Sequence, residues 1–315
     1  MKTKIGIVGT GDIAKQFAGQ IDQEKYQVVS VYNHSEASLL KFVDSFNIKH
    51  KTTDYTEFLA NPEVEIVYIG TPNSTHYDYA LKALEKGKHV LCEKVMVMKG
   101  EEARHLFEVA KANQVVLLEA VTLFYMPMFE EVKKKIQSGV IGKVSGSSVL
   151  FGSCKEYDPE NRFFSKEKGG GALFDIGTYA ISAAVYFLGT SLNLVATDVE
   201  FAPTGVDEKS VSLFKTEAGE QASVMISFRG KMPKQVIITG DKGFVRIDDF
   251  PRAEVATIEF NDGTKEIVEK GIAKDVFTYE LDMLNRYISG ETCDLPEITT
   301  HVISLMDDLG QSWNQ

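Results

Sequence analysis

The sequence has few cysteines and no excess of basic residues. Its three cysteines, Cys92, Cys154 and Cys293, lie too far apart for a disulfide framework or a zinc cluster, and no His, Cys and carboxylate cluster indicates another metal site. Lysine and arginine number 34 against 45 acidic residues, a net charge of −11, so nucleic acid and an acidic membrane surface are not expected as partners. We find no apolar run of membrane-spanning length and no signal-peptide pattern, and we therefore expect a cytoplasmic protein.

The length of 315 residues predicts two domains, because one hydrophobic core seldom organises a chain of this size. We expect the boundary between residues 1–122 and 123–315. The first part alternates short apolar strands with amphipathic helices, which is typical of βαβ units in a parallel sheet. The predicted strands are Ile5–Val8, Val28–Tyr32, Glu65–Ile69, His89–Cys92 and Val115–Leu118, and the predicted helices are Asp12–Ile21, Glu36–Phe46, His76–Leu84 and Glu101–Ala112.

The second part begins with a helix, Met128–Gln137, and then changes pattern. Alternating apolar runs separated by turn signals predict a largely antiparallel sheet. These runs are Val144–Phe151, Leu192–Phe201, Val211–Lys215, Ala222–Phe228, Val236–Ile238, Phe244–Ile247, Val255–Phe260 and Lys265–Val268. Further helices are expected over Asp175–Leu188, Val276–Ile288 and Ile298–Leu309. The fold class is therefore an α/β Rossmann domain followed by an α+β domain.

A glycine-rich turn joins the first predicted strand to the first helix. It reads Gly9-x-Gly11-x-x-Ala14, which allows a tight turn and brings a pyrophosphate to the helix N-terminus. The strand–turn–helix context supports dinucleotide binding, although glycine turns also join strands to helices where no ligand binds. The cofactor-binding residues predicted here are Gly9, Thr10, Gly11, Asp12 and Ile13.

The end of the second strand lacks the acidic residue that usually bonds the ribose hydroxyls of NAD. The sequence there is Asn33-His34-Ser35, which has no carboxylate to repel a 2′-phosphate and has groups able to donate hydrogen bonds to it. We therefore predict NADP rather than NAD as the cofactor. The alternative is that these are polar turn residues and that Glu36 reaches back to the ribose.

Four segments in order resemble the Gfo/Idh/MocA oxidoreductase family, which is named for glucose–fructose oxidoreductase, inositol dehydrogenase and a rhizopine-catabolism protein. They are GTGDIA at Gly9–Ala14, TPNSTH at Thr71–His76, GKHVLCEK at Gly87–Lys94 and GGGALFDIGTY at Gly169–Tyr179. The last segment is most similar to the branch with dihydrodiol dehydrogenase, because many relatives have histidine at the position of Tyr179. The resemblance implies hydride transfer with a nicotinamide cofactor.

The resemblance also implies site residues. Lys94 matches the lysine of the family's Glu-Lys-Pro signature, Tyr179 the proton donor or acceptor, and Asp175 an acidic residue of the same helix. Asp175 and Tyr179 are four residues apart, so they share one face of a helix, and a nearby lysine would lower the pKa of a phenol from about 10. The implied cofactor set is completed by Thr71, Pro72, Asn73, His76, Glu93 and Lys94.

Other readings of these residues stay open. Lys94 could pair with a surface carboxylate, Tyr179 could be a core aromatic residue, and His76 could bond a backbone carbonyl. The chain also departs from the family twice. Val95 replaces the signature proline, so we expect a trans peptide after Lys94. The segment Glu119–Phe124 lacks the tryptophan and arginine of many relatives, so the substrate is not identified.

Two functions follow from these residues. The first is an NADP-dependent oxidoreductase acting on a secondary alcohol or carbonyl of a sugar, polyol or cyclic diol. The second is a non-catalytic dinucleotide sensor on the same scaffold. Relatives associate through the antiparallel sheet, so we predict a homodimer or larger homo-oligomer. We expect Val224, Ile226 and Phe228 on the open face of that sheet.

Overall fold

The computed structural model describes residues 2–313, which form fourteen strands and nine α-helices. The strands are β1 (Thr3–Val8), β2 (Tyr26–Tyr32), β3 (His50–Thr52), β4 (Ile66–Ile69), β5 (His89–Glu93), β6 (Leu117–Ala120), β7 (Val144–Gly152), β8 (Asn193–Phe201), β9 (Asp207–Lys215), β10 (Gln221–Ser227), β11 (Lys234–Gly240), β12 (Gly243–Asp248), β13 (Val255–Phe260) and β14 (Lys265–Glu269). The helices are α1 (Asp12–Gln20), α2 (Glu36–Phe46), α3 (Tyr55–Ala60), α4 (His76–Glu85), α5 (Gly100–Ala112), α6 (Pro127–Gln137), α7 (Thr178–Leu188), α8 (Val276–Ile288) and α9 (Leu295–Trp313).

The first of two compact units comprises residues 2–97, 101–120 and 274–296. Its six strands are all parallel, in the order β3-β2-β1-β4-β5-β6. Strand β4 is buried at every position, as expected for a parallel strand with both faces covered. The predicted Rossmann domain is therefore confirmed. Helix α8 also belongs to this unit, where Phe277 packs edge-on against Phe17 of α1 with ring centroids 5.7 Å apart. The sequence did not predict this return of the chain.

Strand β3 and helix α3 were not predicted. They contain three and six residues, which is too short for a hydrophobic period to show. A local signal does exist, because the Asp54 carboxylate caps α3 by accepting hydrogen bonds from the backbone N–H groups of Thr56 and Glu57.

The second unit comprises residues 98–100, 121–273 and 297–313. Its eight strands follow the order β14-β13-β12-β11-β7-β10-β9-β8. Among the seven strand pairs of this sheet within residues 2–313, only β7 and β10 are parallel, so the prediction of a largely antiparallel sheet is confirmed. Helix α7 packs against β7 and β10 on one face of this sheet.

The expected open-face residues in β10 and just after it were assigned to the wrong face. Val224, Ile226 and Phe228 are at most 4% exposed, and the side chain of Ile226 lies against Gly177 just before α7. The alternation was correct, but the sequence does not say which face a helix covers. Met225 instead points to the open face and is 39% exposed.

One helical stretch of this unit, Lys166–Leu188, does have the length and composition of a membrane span, contrary to the expectation from the sequence. Of its most apolar 18-residue window, 72% is buried inside the protein, as in the core helix of a folded domain. The stretch is interrupted by a π turn at Leu173–Gly177. Asp175 and Tyr179 are thus separated by a π turn and not by the regular α-helical turn that we expected.

Candidate active site

The glycine turn in the first unit combines a strained position with an open one. Gly9 has φ +98°, and a Cβ there would lie 2.7 Å from the carbonyl oxygen of Gly70. Only glycine fits such a position without strain. Gly11 is the N-cap of α1 with ordinary extended backbone, and its Cβ would meet nothing closer than 4.0 Å. The turn is therefore closed around Gly9 and open at Gly11.

The open position fits a dinucleotide pyrophosphate. The N-cap residue of α1 is Gly11, which has no side chain to bind the first N–H groups of the helix, so these donors can face a phosphate. Asp12 is exposed and pairs with Lys15 at 3.0 Å, and Ile13 is half-buried. The residues present thus fit the phosphate groups of a nicotinamide cofactor.

The polar residues at the end of β2 lie beside this turn. Asn33 is 8% exposed, and its Nδ2 donates to the Thr10 hydroxyl at 2.9 Å. His34 is exposed, and Ser35 caps α2 by accepting from the Ser38 backbone N–H at 3.4 Å. Asn33 therefore holds the glycine turn, while His34 faces solvent and Ser35 begins the next helix.

The segment after β4 is held by a buried histidine. His76 is fully buried, with Nε2 2.8 Å from the Thr71 carbonyl oxygen and Nδ1 2.9 Å from the Val95 carbonyl oxygen. Burial lowers the pKa of His76, and the two carbonyls oppose that shift only in part. This matches the alternative reading of a backbone-bonded histidine. Pro72 is exposed and Asn73 half-buried in the same segment.

Lys94 follows the carboxyl end of β5 and is half-buried. The preceding Glu93 is 9% exposed and accepts a hydrogen bond from the Tyr68 hydroxyl at 2.6 Å. The Lys94–Val95 peptide is cis, so the expectation of a trans bond was wrong. Val95 is 1% exposed, and its carbonyl oxygen lies 2.9 Å from His76 Nδ1.

A second buried carboxylate lies under this segment. Glu119 is 1% exposed, and its Oε1 accepts from the Met96 backbone N–H at 2.8 Å. Burial raises the pKa of Glu119 to about 7, and the positive charge of Lys94 opposes the rise. The following residues, 120–124, are all buried. The segment in which relatives carry tryptophan and arginine is therefore core in this chain.

In the second unit, Asp175 and Tyr179 are both partly exposed, while the three residues between them are buried. The Tyr179 ring packs near Phe151 of β7, with centroids 6.1 Å apart. Lys155, from the segment after β7, lies 3.5 Å from Asp175 Oδ2 and 3.6 Å from the centre of the Phe163 ring. This unit thus presents a phenol and a carboxylate–lysine pair.

The sequence did not single out Lys155, because its partner is twenty residues away and the pairing depends on how the chain folds. It also did not single out Asp207, which binds the beginning of the Asp175 segment, or the role of Glu119. Among residues 2–313, no group of three or more His, Cys, Asp or Glu side chains is arranged to hold a metal ion.

These features define the chain as a Rossmann-fold oxidoreductase with an NAD(P) cofactor. Residues 3–121 match the model of the oxidoreductase family with an NAD-binding Rossmann fold (GFO/IDH/MocA), and residues 129–246 match the GFO/IDH/MocA C-terminal domain. The chain belongs to this family, as the sequence motifs predicted.

Named relatives extend over most of the chain. It is 30% identical over 269 residues to a trans-1,2-dihydrobenzene-1,2-diol dehydrogenase of Xenopus laevis, covering 84% of this chain and 81% of the relative. It is also 30% identical over 286 residues to the NADP⁺-dependent scyllo-inositol 2-dehydrogenase IolU of Bacillus subtilis, with coverage of 89% and 86%.

A similar solved structure is a 3-ketoreductase from Actinomadura kijaniata in complex with NADP and TDP-benzene. It superposes with a TM-score of 0.84 at 25% identity and covers 98% of this chain and 96% of the other.

Proposed function

We propose that this protein uses NADP to interconvert a secondary alcohol and a carbonyl on a sugar, polyol or cyclic diol. The observation that carries the proposal is the combination of the open Gly11 position with the half-buried Lys94 in one unit. Both lie at carboxyl ends of parallel strands, where ligands bind in open sheets of this kind. The relatives named above, a diol dehydrogenase and an inositol dehydrogenase, support this substrate class.

Each residue has a distinct role in this proposal. The nicotinamide supplies the hydride chemistry. Tyr179 exchanges the proton on the substrate oxygen, Lys94 binds the substrate and ribose hydroxyls, and Asp175 orients a second substrate hydroxyl. Lys155 pairs with the Asp175 carboxylate at 3.5 Å and so helps to hold its side chain in place. Buried Glu93 and His76 hold the backbone on either side of Lys94.

The test is a screen of pentoses, hexoses, inositols and dihydrodiols with NADP⁺ and NAD⁺ in parallel, followed by the absorbance of the reduced cofactor. Turnover with at least one of these compounds is expected for the wild-type protein. Tyr179→Phe should lower kcat by about two to four orders of magnitude, the usual range for a general acid–base group.

Tyr186→Phe is the matched control, because Tyr186 lies on the same helix but is only 6% exposed. It should keep near-normal turnover. Cofactor binding without turnover of any compound would favour the alternative, a dinucleotide sensor. Normal turnover by Tyr179→Phe would assign the proton to another group.

The preference for NADP over NAD is proposed from the end of β2. Residues 33–35 contain no carboxylate, and the exposed His34 can donate a hydrogen bond to a 2′-phosphate, whereas Glu36 in the first turn of α2 is the carboxylate that would oppose it. NADPH should bind at least about tenfold more tightly than NADH in a fluorescence titration, which is about 1.4 kcal/mol. Asn33→Asp, which adds a carboxylate, should reverse that order, and a wild-type preference for NADH would refute the proposal.

We also propose that the chain forms a homodimer or larger oligomer through the open face of the second sheet. Apolar side chains there are 39–58% exposed, namely Val211, Leu213, Met225, Val255 and Ile267. Met225 and Val211 are direct cross-strand neighbours, so part of this surface is continuous. Light scattering should give a multiple of 35.0 kDa. Leu213→Lys should reduce the particle mass measured by light scattering, whereas Glu217→Lys in the exposed turn after β9 should leave it unchanged. A wild-type monomer would contradict the proposal.

A further inference from the structure

The segment that leads into the tyrosine helix contains three consecutive glycines, Gly169–Gly171, and the structure gives a reason for the last two. A Cβ on Gly170 would lie 2.7 and 2.8 Å from the carbonyl oxygens of Arg162 and Phe163. A Cβ on Gly171, whose φ is +124°, would collide with Oδ1 of Asp207. The glycines therefore let the chain pass directly against the Asp207 carboxylate.

That carboxylate binds the beginning of the helical segment. Asp207 is the first residue of β9 and is 8% exposed. Its Oδ2 accepts from the Leu173 backbone N–H at 2.7 Å, and it also accepts from the backbone N–H of Ala172. An anion at the start of a helical segment is stabilised by the N–H groups that have no partner within the helix. Asp207 therefore fixes the backbone two residues before Asp175 and six before Tyr179.

We infer that Asp207 is a positioning residue for the reaction, and that its ionised carboxylate fixes the π turn and helix that present Asp175 and Tyr179. The inference rests on the proposed function, in which Tyr179 transfers a proton. Segments with π-type hydrogen bonding are frequent at functional sites, and this one is held at its first turn by a side chain from a different strand.

The charged side chains near Asp207 pair with one another, so burial and backbone hydrogen bonds set the pKa of Asp207. Glu208 on the same strand lies 3.5 Å from Arg229, which follows β10, and Lys209 pairs with Glu200 of β8. Asp175 on the π turn faces Lys155. Burial raises the pKa of Asp207 to about 6, and the bonds from the backbone N–H groups oppose the rise. The carboxylate is thus ionised at neutral pH and gains a proton in mildly acidic solution.

The direction of the pKa shift of Asp207 distinguishes a positioning role from a stabilising role. The folded state binds the Asp207 proton more tightly than the unfolded state, whose pKa is near 3.8. The resulting stability is present below pH 3.8 and is lost as the pH rises through about 6. At neutral pH the group is ionised in both states, so the fold is less stable there than it would be with the proton bound. A purely structural residue at this position would do better without its charge.

The decisive variant is Asp207→Asn, which keeps an acceptor for the Leu173 N–H but removes the charge. Its kcat should fall about 10- to 100-fold, the scale expected for a misplaced reacting group, with little change in cofactor Kd. Wild-type kcat should decrease below about pH 6, and this acid limb should disappear in the variant. The thermal midpoint at pH 8 should be equal to or above that of wild type. Asp248→Asn, an exposed carboxylate of the same sheet, is the control and should match wild type throughout.

Gly171→Ala is an independent variant, because its methyl group would displace the Asp207 carboxylate from the other side. It should lower kcat in the same way and should also lose stability. Full kcat in Asp207→Asn, an acid limb that persists in it, or its failure to fold at pH 8 would overturn the inference. If Tyr179→Phe also retains full kcat, the proposed function has failed; if only Tyr179→Phe is crippled, this inference alone has failed.

Discussion

The two glycines of the cofactor turn should respond to the same substitution in opposite ways. At Gly9, φ is +98° and an added Cβ would be 2.7 Å from a carbonyl oxygen. We expect Gly9→Ala to reduce the free energy of unfolding by about 2–4 kcal/mol, from a left-handed backbone conformation plus a contact that must shift. At Gly11 the backbone angles suit alanine and the nearest atom is 4.0 Å away. The cost of Gly11→Ala to stability should stay below about 1 kcal/mol.

Cofactor binding, in contrast to stability, should respond strongly to the substitution at Gly11. The Cβ of Gly11→Ala would occupy the space that a pyrophosphate needs in order to reach the N–H groups of α1. The Kd for NADPH should rise by about 10- to 100-fold, or roughly 1.4–2.8 kcal/mol. Urea denaturation measures the first quantity and fluorescence titration the second. A Gly11→Ala protein that is stable and binds NADPH within about twofold of wild type would refute the placement of the cofactor in this turn.

Three further predictions concern the buried and catalytic groups. Burial raises the pKa of Glu119 from 4.5 to about 7, so its proton stabilises the fold below pH 4.5 and that stability is lost as the pH rises through 7. The wild-type free energy of unfolding should therefore fall by up to about 3 kcal/mol between pH 5 and pH 8, measured by urea denaturation, and Glu119→Gln should abolish this fall. His76→Phe should lower the free energy of unfolding by about 2 kcal/mol, since the carbonyl that accepts the single N–H of the neutral ring loses its donor, and an unchanged value would show that the ring only fills space. If Lys94 and Tyr179 act as a unit, the double variant Lys94→Met with Tyr179→Phe should turn over little more slowly than either single variant, whereas additive losses in kcat would mean independent roles.

Much of the first unit could be predicted because its local signals agree. Buried strands such as Ile66–Ile69 alternate with amphipathic helices, and the glycine turn lies between the first strand and helix. The signal failed where elements are very short, as in His50–Thr52. The helix Val276–Ile288 was predicted correctly, but nothing in its sequence shows that it belongs to the first unit.

The candidate site was predicted in part, for a related reason. Sequence motifs identify site residues that are adjacent along the chain, such as Glu93 and Lys94. Contacts between distant segments leave no comparable signal. The pairing of Lys155 with Asp175, the contact of Asp207 with Leu173 and the face occupied by Val224 all depend on how separate elements pack.

The central claim is that hydride passes between the nicotinamide and a carbon of the substrate. The most direct measurement uses NADPH deuterated at C4, on the transferred face, with the ketone of the best substrate from the screen. The account predicts one deuterium on the carbinol carbon of the product, formed far more slowly by Tyr179→Phe. A protein that binds NADPH tightly but transfers no deuterium to any sugar, inositol or diol ketone would contradict it.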